Sequence, residues 1–318
     1  MRFYLSPHLW HTALLDEAEA HHAQRVLRLQ RGAAITVFDG EGREASAVIE
    51  TFHKKNASLR LGALQQTPRP TVEITLAQAI PKGRNMDLII QKAVELGVTR
   101  IIPLVTDRTI VRCQDDETKQ ERWQAIALEA CKQCGQNWMP LVEAPCSLQE
   151  SLDFFQNSTS DANCDVAPVL ASSSINYTLS RCAPETPGTW PRSLPDCSPS
   201  GLSDERHLAS SQEARLSPEA SFERSLFKKI NSNDLLLIAS LEKETVPMKN
   251  IFSSLKKNSS PPISSATIFI GPEGDFTPEE YLLARAAGCQ AISLGPIVLR
   301  TETAALYCLS VLAYELLR

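Results

Sequence analysis

Two short apolar runs near the C-terminus end in glycine and proline. Thr267-Ile268-Phe269-Ile270 leads into Gly271-Pro272-Glu273-Gly274-Asp275-Phe276, and Ala291-Ile292-Ser293-Leu294 leads into Gly295-Pro296. Ligands of open parallel sheets bind beyond the carboxyl ends of the strands. Glycine there lets a ligand approach the backbone, and proline fixes the turn. Two such turns side by side would offer backbone N–H and C=O groups to a planar, adenine-like edge. Either turn alone is also compatible with an ordinary strand ending. The second turn continues through Ile297-Val298-Leu299 into Arg300-Thr301-Glu302-Thr303. Thr301 or Thr303 is placed to cap the last helix, and Glu302 suits its N-terminus. An arginine at this point can stabilise negative charge developing on a reacting group.

These residues need elements to hold them. Between the two turns, Thr277, Pro278 and Glu280 form a capping-box start, with Phe276 and Tyr281 spaced for a hydrophobic staple. From residue 72 onward, strands and helices alternate. VEITLAQAI, VTRIIPLV, NDLLLIASL, ATIFIGP and AISLGP read as strands. NMDLIIQKAVEL, DETKQERWQAIALEACKQC and TETAALYCLSVLAYELLR read as helices, the first with Asn85 as N-cap and Gly97 past its end. This alternation predicts a mostly parallel sheet covered on both faces. Residues 1–67 read differently: AAITVFDG and REASAVIETF flank an Asp39-Gly40-Glu41-Gly42 turn, ASLRLGAL adds a strand, and DEAEAHHAQRVLRL looks helical. A small β-barrel with one helix fits them. Thr67-Pro68-Arg69-Pro70 is a linker. The expected organisation is a barrel over 1–68 and an α/β domain over 71–318. That domain is interrupted at 156–225 by a stretch with fifteen Ser and seven Pro, which is too poor in aliphatics to form a core.

Bulk properties exclude several classes. The chain of 318 residues has no apolar run long enough to cross a bilayer and no signal-type N-terminus, so a cytoplasmic, membrane-free protein is expected. Of the net charge of −5, the stretch 156–225 supplies −4 (nine acids, five Arg), leaving −1 for the rest. The first seventy residues carry nine Lys/Arg against seven Asp/Glu, a mild basic tilt. Nine cysteines form no disulfide framework. Cys131 and Cys134 share a helix face without a second pair, His21-His22 has no carboxylate at ligand spacing, and Cys164, Cys182 and Cys197 lack paired spacing, so no metal is expected. Neither a G-x-G-x-x-G turn nor a Walker A sequence is present.

GPEGDFTPEE followed by LGPIVLRTETAAL resembles the signature of the ribosomal RNA small subunit methyltransferase E family of SPOUT methyltransferases. IPKGRNMDLIIQKAVELGVTRIIPL and IALEACKQCGQNWMP match as well, and RFYL with HHAQRVLRL resembles that family's PUA-like RNA-binding barrel. The likeness covers 1–150 and 233–318. Asp275 stands where the family often has a second glycine, and Ala239-Ser240-Leu241-Glu242 matches loosely. The resemblance implies a SPOUT-type trefoil-knotted parallel sheet behind a PUA-like barrel, S-adenosylmethionine as donor, and methylation at N3 of one uridine in 16S ribosomal RNA of the small subunit by a homodimer. It places cofactor contacts at Leu241, Gly271, Pro272, Glu273, Gly274, Leu294, Gly295, Leu299, Thr303 and Ala304. Arg300 would stabilise the uridinate, with Glu302 organising the loop or relaying the proton. Arg2, Arg25, Arg28, Lys82 and Arg84 are candidate phosphate contacts. Action on another RNA such as tRNA, or a non-catalytic RNA-binding assembly role, are the competing readings.

Overall fold

The computed structural model describes residues 1–109, 116–157, 233–257 and 262–317. Beyond Asn157, the Ser/Pro-rich stretch 156–225 and its three cysteines lie outside the described residues.

Strands β1 (Arg2–Tyr4), β2 (Leu14–Leu15), β3 (Ala34–Phe38), β4 (Arg43–Phe52) and β5 (Ala57–Gln66) form one sheet in the order β1-β3-β4-β5-β2. The β3–β4 hairpin forms because Asp39 Oδ1 accepts from the amides of Glu41 (2.8 Å) and Arg43 (2.9 Å). Alternate residues of the sheet, including Val37, Ala47, Ile49 and Leu59, close on Phe3, Leu5 and Leu15 as one core. Helix α1 (Glu17–His21) starts at Asp16, whose carboxylate accepts from the Glu19 amide at 2.8 Å. The predicted long helix is therefore short: it passes into a single π-type turn, His22–Val26, and Arg28 at φ +54° turns the chain away.

The second sheet begins at β6 (Glu73–Ala79). It is followed by α2 (Asn85–Glu95), β7 (Arg100–Val105), α3 (Asp116–Cys134), β8 (Leu141–Val142), β9 (Cys146–Ser147) and α4 (Leu148–Asn157). After the insertion come β10 (Asp234–Ala239), β11 (Val246–Pro247), α5 (Met248–Lys257), β12 (Ser265–Ile270), α6 (Pro278–Ala286), β13 (Gln290–Ser293) and α7 (Thr301–Leu316). Every pairing is parallel, in the order β11-β13-β10-β12-β6-β7-β8, with β9 also on β7. The central strands β6, β10 and β12 are buried after their first residue because both faces are covered. Leu76, Ile268 and Leu237 pack with Ile89, Ala127 and Leu309 on one face; Phe269 and Ile238 pack with Leu152 and Tyr281 on the other.

The order of the last strands sets up the site. Strand β13 lies between β10 and β11, yet α7 packs on α2, β12 and β6. The segment 294–300 therefore crosses from beyond β10 to the β12–β6 side, carrying Gly295 and Arg300 across the strand ends.

Two expected caps differ. Arg84, not Asn85, holds the cap position of α2, and Asn85 is already helical. Arg300 holds the cap position of α7 with no side-chain cap bond; Thr301 lies inside the helix and spends its hydroxyl elsewhere. The capping box at Thr277 and Glu280 forms as read, and Phe276 stacks edge-on to Tyr281 at 5.6 Å.

Candidate active site

The turn after β12 is held from four directions. Thr301 Oγ1 donates to the Gly271 carbonyl at 2.7 Å and accepts from Gln78 Nε2 at 3.0 Å. Glu273 Oε1 accepts from the Lys82 amide at 2.9 Å. Arg108 Nη1 donates to the carbonyls of Gly274 (2.7 Å) and Phe276 (3.3 Å). Glu280, which is buried, accepts from the Thr277 amide in its capping box and from the Asp107 amide at 3.1 Å, tying the start of α6 to the end of β7.

Asp275 explains itself in this setting. It sits at φ +61°, a left-handed conformation that glycine enters freely and Asp tolerates better than most. In return its carboxylate makes bonds a glycine could not. Oδ2 accepts from the Leu241 amide at 3.3 Å, and Oδ1 accepts from the Tyr281 hydroxyl at 2.7 Å. The loop after β10 is thus stitched to the turn after β12. Burial pushes the Tyr281 hydroxyl far above its ordinary range, and the neighbouring Asp275 carboxylate adds to this, so Tyr281 remains a donor.

At the start of α7, Arg300 and Thr303 are exposed, Glu302 is half-buried and Ala304 is buried. Asn85 Nδ2 donates to Glu302 Oε2 at 3.5 Å, bringing the first turns of α2 and α7 together. Leu294 and Leu299 lean on the core below the crossing segment. Leu241 (63%), Ile297 (74%) and Val298 (71%) leave large apolar side chains open to solvent around the strand ends. Gly295, at φ +121°, has open space where a Cβ would point. Exposed apolar side chains beside bare backbone suit a ligand with an aromatic base and an apolar chain.

The candidate cations separate into two groups. Lys82 and Arg84 follow β6, are exposed and flank the clasped turn. Arg25, on the π-type turn, and Arg28, just beyond it, are exposed. Arg2 is not available: its guanidinium donates to the carbonyls of Cys131 (2.8 Å) and Gln136 (3.0 Å), bonds Asn137 and pairs with Glu44, lying over the Phe38 ring. Its part is to fasten β1 to the end of α3. Sequence reading missed Gln78, Asn85, Arg108 and the bonding of Asp275, because the partners that join them to the site (Thr301, Glu302, Gly274 and Leu241) are more than thirty residues away. Cys131 is buried, and burial pushes its thiol up to about 12, as expected of a packing residue.

Residues 67–179 and 212–313 match the family described as RNA methyltransferase domain, and residues 15–62 match the RNA methyltransferase PUA domain. The chain belongs to the RNA methyltransferase family. Among this methyltransferase's relatives, ribosomal RNA small subunit methyltransferase E of Bacillus subtilis is 27% identical over 94% of the chain and 90% of its own length. The protein of that name from Synechocystis sp. is 40% identical over 42% of the chain, a match spanning 43% of the relative's length. The crystal structure of ribosomal RNA small subunit methyltransferase E from Neisseria gonorrhoeae, bound to S-adenosyl methionine, superposes with a TM-score of 0.65 at 26% identity, covering 98% of this chain and 96% of that one. The methyltransferase therefore has the SPOUT architecture behind a PUA-type sheet.

Proposed function

We propose that this RNA methyltransferase uses S-adenosylmethionine to methylate N3 of one uridine in 16S ribosomal RNA of the small subunit. The bond from Thr301 to the Gly271 carbonyl carries the reading, because it joins the two turn segments into one site at the strand ends. Both turn segments match the motifs quoted above. The residues fit the donor: backbone at Gly295 is open to an adenine edge, Gly274 is exposed beside it in the facing turn, Gly271 anchors that turn through Thr301, and Leu241, Leu294 and Leu299 supply apolar lining. Glu273, Pro272, Thr303 and Ala304 complete the contacts.

Bound there, the donor supplies a methyl group that is already activated. The chain's own task is the acceptor. The uridine N3–H is a weak acid, so its conjugate base needs stabilisation. Arg300 provides a fixed positive charge for it, and Glu302, held toward Asn85, orients the loop or relays the proton. The uridine must be unpaired or flipped to enter. Lys82, Arg84, Arg25 and Arg28 supply phosphate contacts. Residues 1–68 present the RNA and residues 71–318 carry out the transfer. The crossing of 294–300 is the trefoil-knot path, and two copies assemble as a homodimer in the cytoplasm, supported by exposed apolar residues such as Leu88 and Tyr307 along α2 and α7. No described helix is long and apolar enough to cross a membrane.

Mass spectrometry of ribosomal RNA from cells with and without the gene tests the reading. Loss of N3-methyluridine from 16S RNA, restored by the wild-type gene, is the expected result. Its retention, or loss of a methyl mark from tRNA instead, overturns the assignment of substrate. Titration calorimetry with S-adenosylmethionine separates an enzyme from an assembly factor that has kept only the fold.

A further inference from the structure

Strand β6 is buried from Ile74 onward, and of its two buried polar residues, Thr75 and Gln78, Gln78 has no exposed surface. It pairs in register with Ile270, the residue immediately before Gly271. Its Nε2 donates to its neighbour's carbonyl, Ala79 O, at 2.8 Å and to Thr301 Oγ1 at 3.0 Å. Its Oε1 has no partner. A buried amide with an unsatisfied acceptor is less favourable at a packed strand position than an apolar residue of the same volume. Fold stability therefore does not account for it. What the amide does achieve is orientation of the Thr301 hydroxyl. With its lone pair engaged by Gln78, that hydroxyl directs its single proton to the Gly271 carbonyl.

Thr301 is also the fixed point of its neighbourhood. Arg300 caps α7 without a side-chain bond, and Arg300 and Thr303 are exposed. Residues 300 and 302, the proposed charge stabiliser and loop organiser, flank Thr301 directly. We infer that Gln78 and Thr301 are positioning residues for methyl transfer: the Gln78–Thr301–Gly271 chain sets the height of α7 against the donor turn, and so sets where Arg300 and Glu302 stand relative to the donor. The inference deepens the reading proposed above and rests on it.

Thr301→Val keeps the shape and removes the hydroxyl, Thr301→Ser keeps the hydroxyl, and Gln78→Met keeps the volume and removes the amide. In full-length protein, Thr301→Val is expected to weaken S-adenosylmethionine binding or lower kcat by about tenfold or more, with Gln78→Met following in the same direction and Thr301→Ser staying within about threefold of wild type. Amide hydrogen exchange in donor-free protein reports the positioning itself. Faster exchange across 271–276 and 301–305 in Thr301→Val and Gln78→Met is expected, without an equal rise in the rest of the sheet. Donor affinity and kcat of both Val and Met variants within about twofold of wild type overturn the inference. A Thr301→Ser loss as large as that of Thr301→Val overturns it too, since a filled space rather than a hydroxyl would then be what matters. Should Thr301→Val not fold, Gln78→Met and Thr301→Ser decide alone. Wild-type protein that binds no S-adenosylmethionine sinks the functional reading, and unchanged hydrogen exchange in the variants then sinks the positioning role as well.

Discussion

Lys132 Nζ lies 2.7 Å from Glu19 Oε1, with both side chains almost sealed from solvent at 7% and 8% exposure. Glu19 belongs to α1 beside the small sheet, and Lys132 belongs to α3 against the large one. Arg2 crosses the same boundary, and the chain after α3 adds backbone bonds: Gly42 donates to Asn137 O at 3.0 Å, and Met139 donates to Gly40 O at 2.9 Å. The small sheet is therefore fastened to the large one, which would fix the distance from an RNA held on one to the pocket of the other.

Removing Lys132 leaves the buried Glu19 carboxylate with only a weak bond from the Tyr4 amide, at 3.4 Å. Lys132→Met is expected to cost about 3–5 kcal/mol, measured as a fall in the urea midpoint, while Glu19→Leu with Lys132→Met recovers most of it. Burial alone pulls the Lys132 ammonium down, but hydrogen bonds to Glu129 and Glu19 and their charges outweigh it and raise its pKa. A group that holds its proton more tightly when folded contributes fully below its ordinary pKa and loses that contribution as pH rises through the raised value. Wild-type stability should thus fall as pH climbs past the ordinary lysine range, more steeply than that of Lys132→Met. Equal slopes would exclude the pair as the cause.

Gly42 sits at φ +94°, and a Cβ there would lie 2.6 Å from Trp138 Cζ2. Gly42→Ala combines left-handed strain with a clash against an indole whose Nε1 is anchored to the Pro68 carbonyl at 3.0 Å. A loss of about 1–3 kcal/mol is expected in chemical denaturation. Gly32, at φ +90° with open space around its Cβ position, isolates the strain component, so Gly32→Ala should cost less.

Arg300→Ala removes the exposed cation at the start of α7 while leaving the Thr301 bond in place. A fall in kcat of about a hundredfold or more is expected, with S-adenosylmethionine affinity nearly unchanged. Unaltered turnover would remove Arg300 from the chemistry. Arg300→Lys should recover part of the rate, as charge without the planar fork.

Asp275 holds the loop after β10 through Leu241. Asp275→Gly relieves the left-handed strain but releases that loop and leaves the Tyr281 hydroxyl to the Ala239 carbonyl alone, so weaker donor binding at near-normal thermal stability is expected. Asp275→Ala keeps the strain and loses the same bonds, and should be the less stable of the two by about 1 kcal/mol. Calorimetry and thermal melts on the pair separate the two effects.

Thiol labelling gives a check on burial. Cys131, Cys289 and Cys308 are buried, and burial pushes each thiol up to about 12. Cys134, one turn from Cys131, is exposed. Alkylation of native protein at pH 8, mapped by mass spectrometry, should modify Cys134 well before those three. Early modification of Cys131 would contradict the packing at the end of α3.

Period and punctuation are properties of neighbouring residues, and so the sequence by itself determined the long strands of both sheets and the helices α2, α3 and α7, but not α4, α5 or the short strands β8, β9 and β11. The capped turn at Thr277–Glu280 was legible for the same reason: its bonds close within four residues. The Asp39–Gly42 hairpin was legible on that ground too. Family likeness then pointed to the two Gly-Pro turns as one site. What only the tertiary structure decided is how that site is held. Thr301 looked like a cap and is instead a bridge to Gly271, Asn85 reaches Glu302, and Arg2 serves an internal joint. Each of these depends on the crossing of 294–300 over the strand ends and on strands far apart in sequence becoming neighbours. A side chain's hydrogen-bond partner is chosen by distance in space, and a local pattern carries no record of the distant residue that will occupy that space.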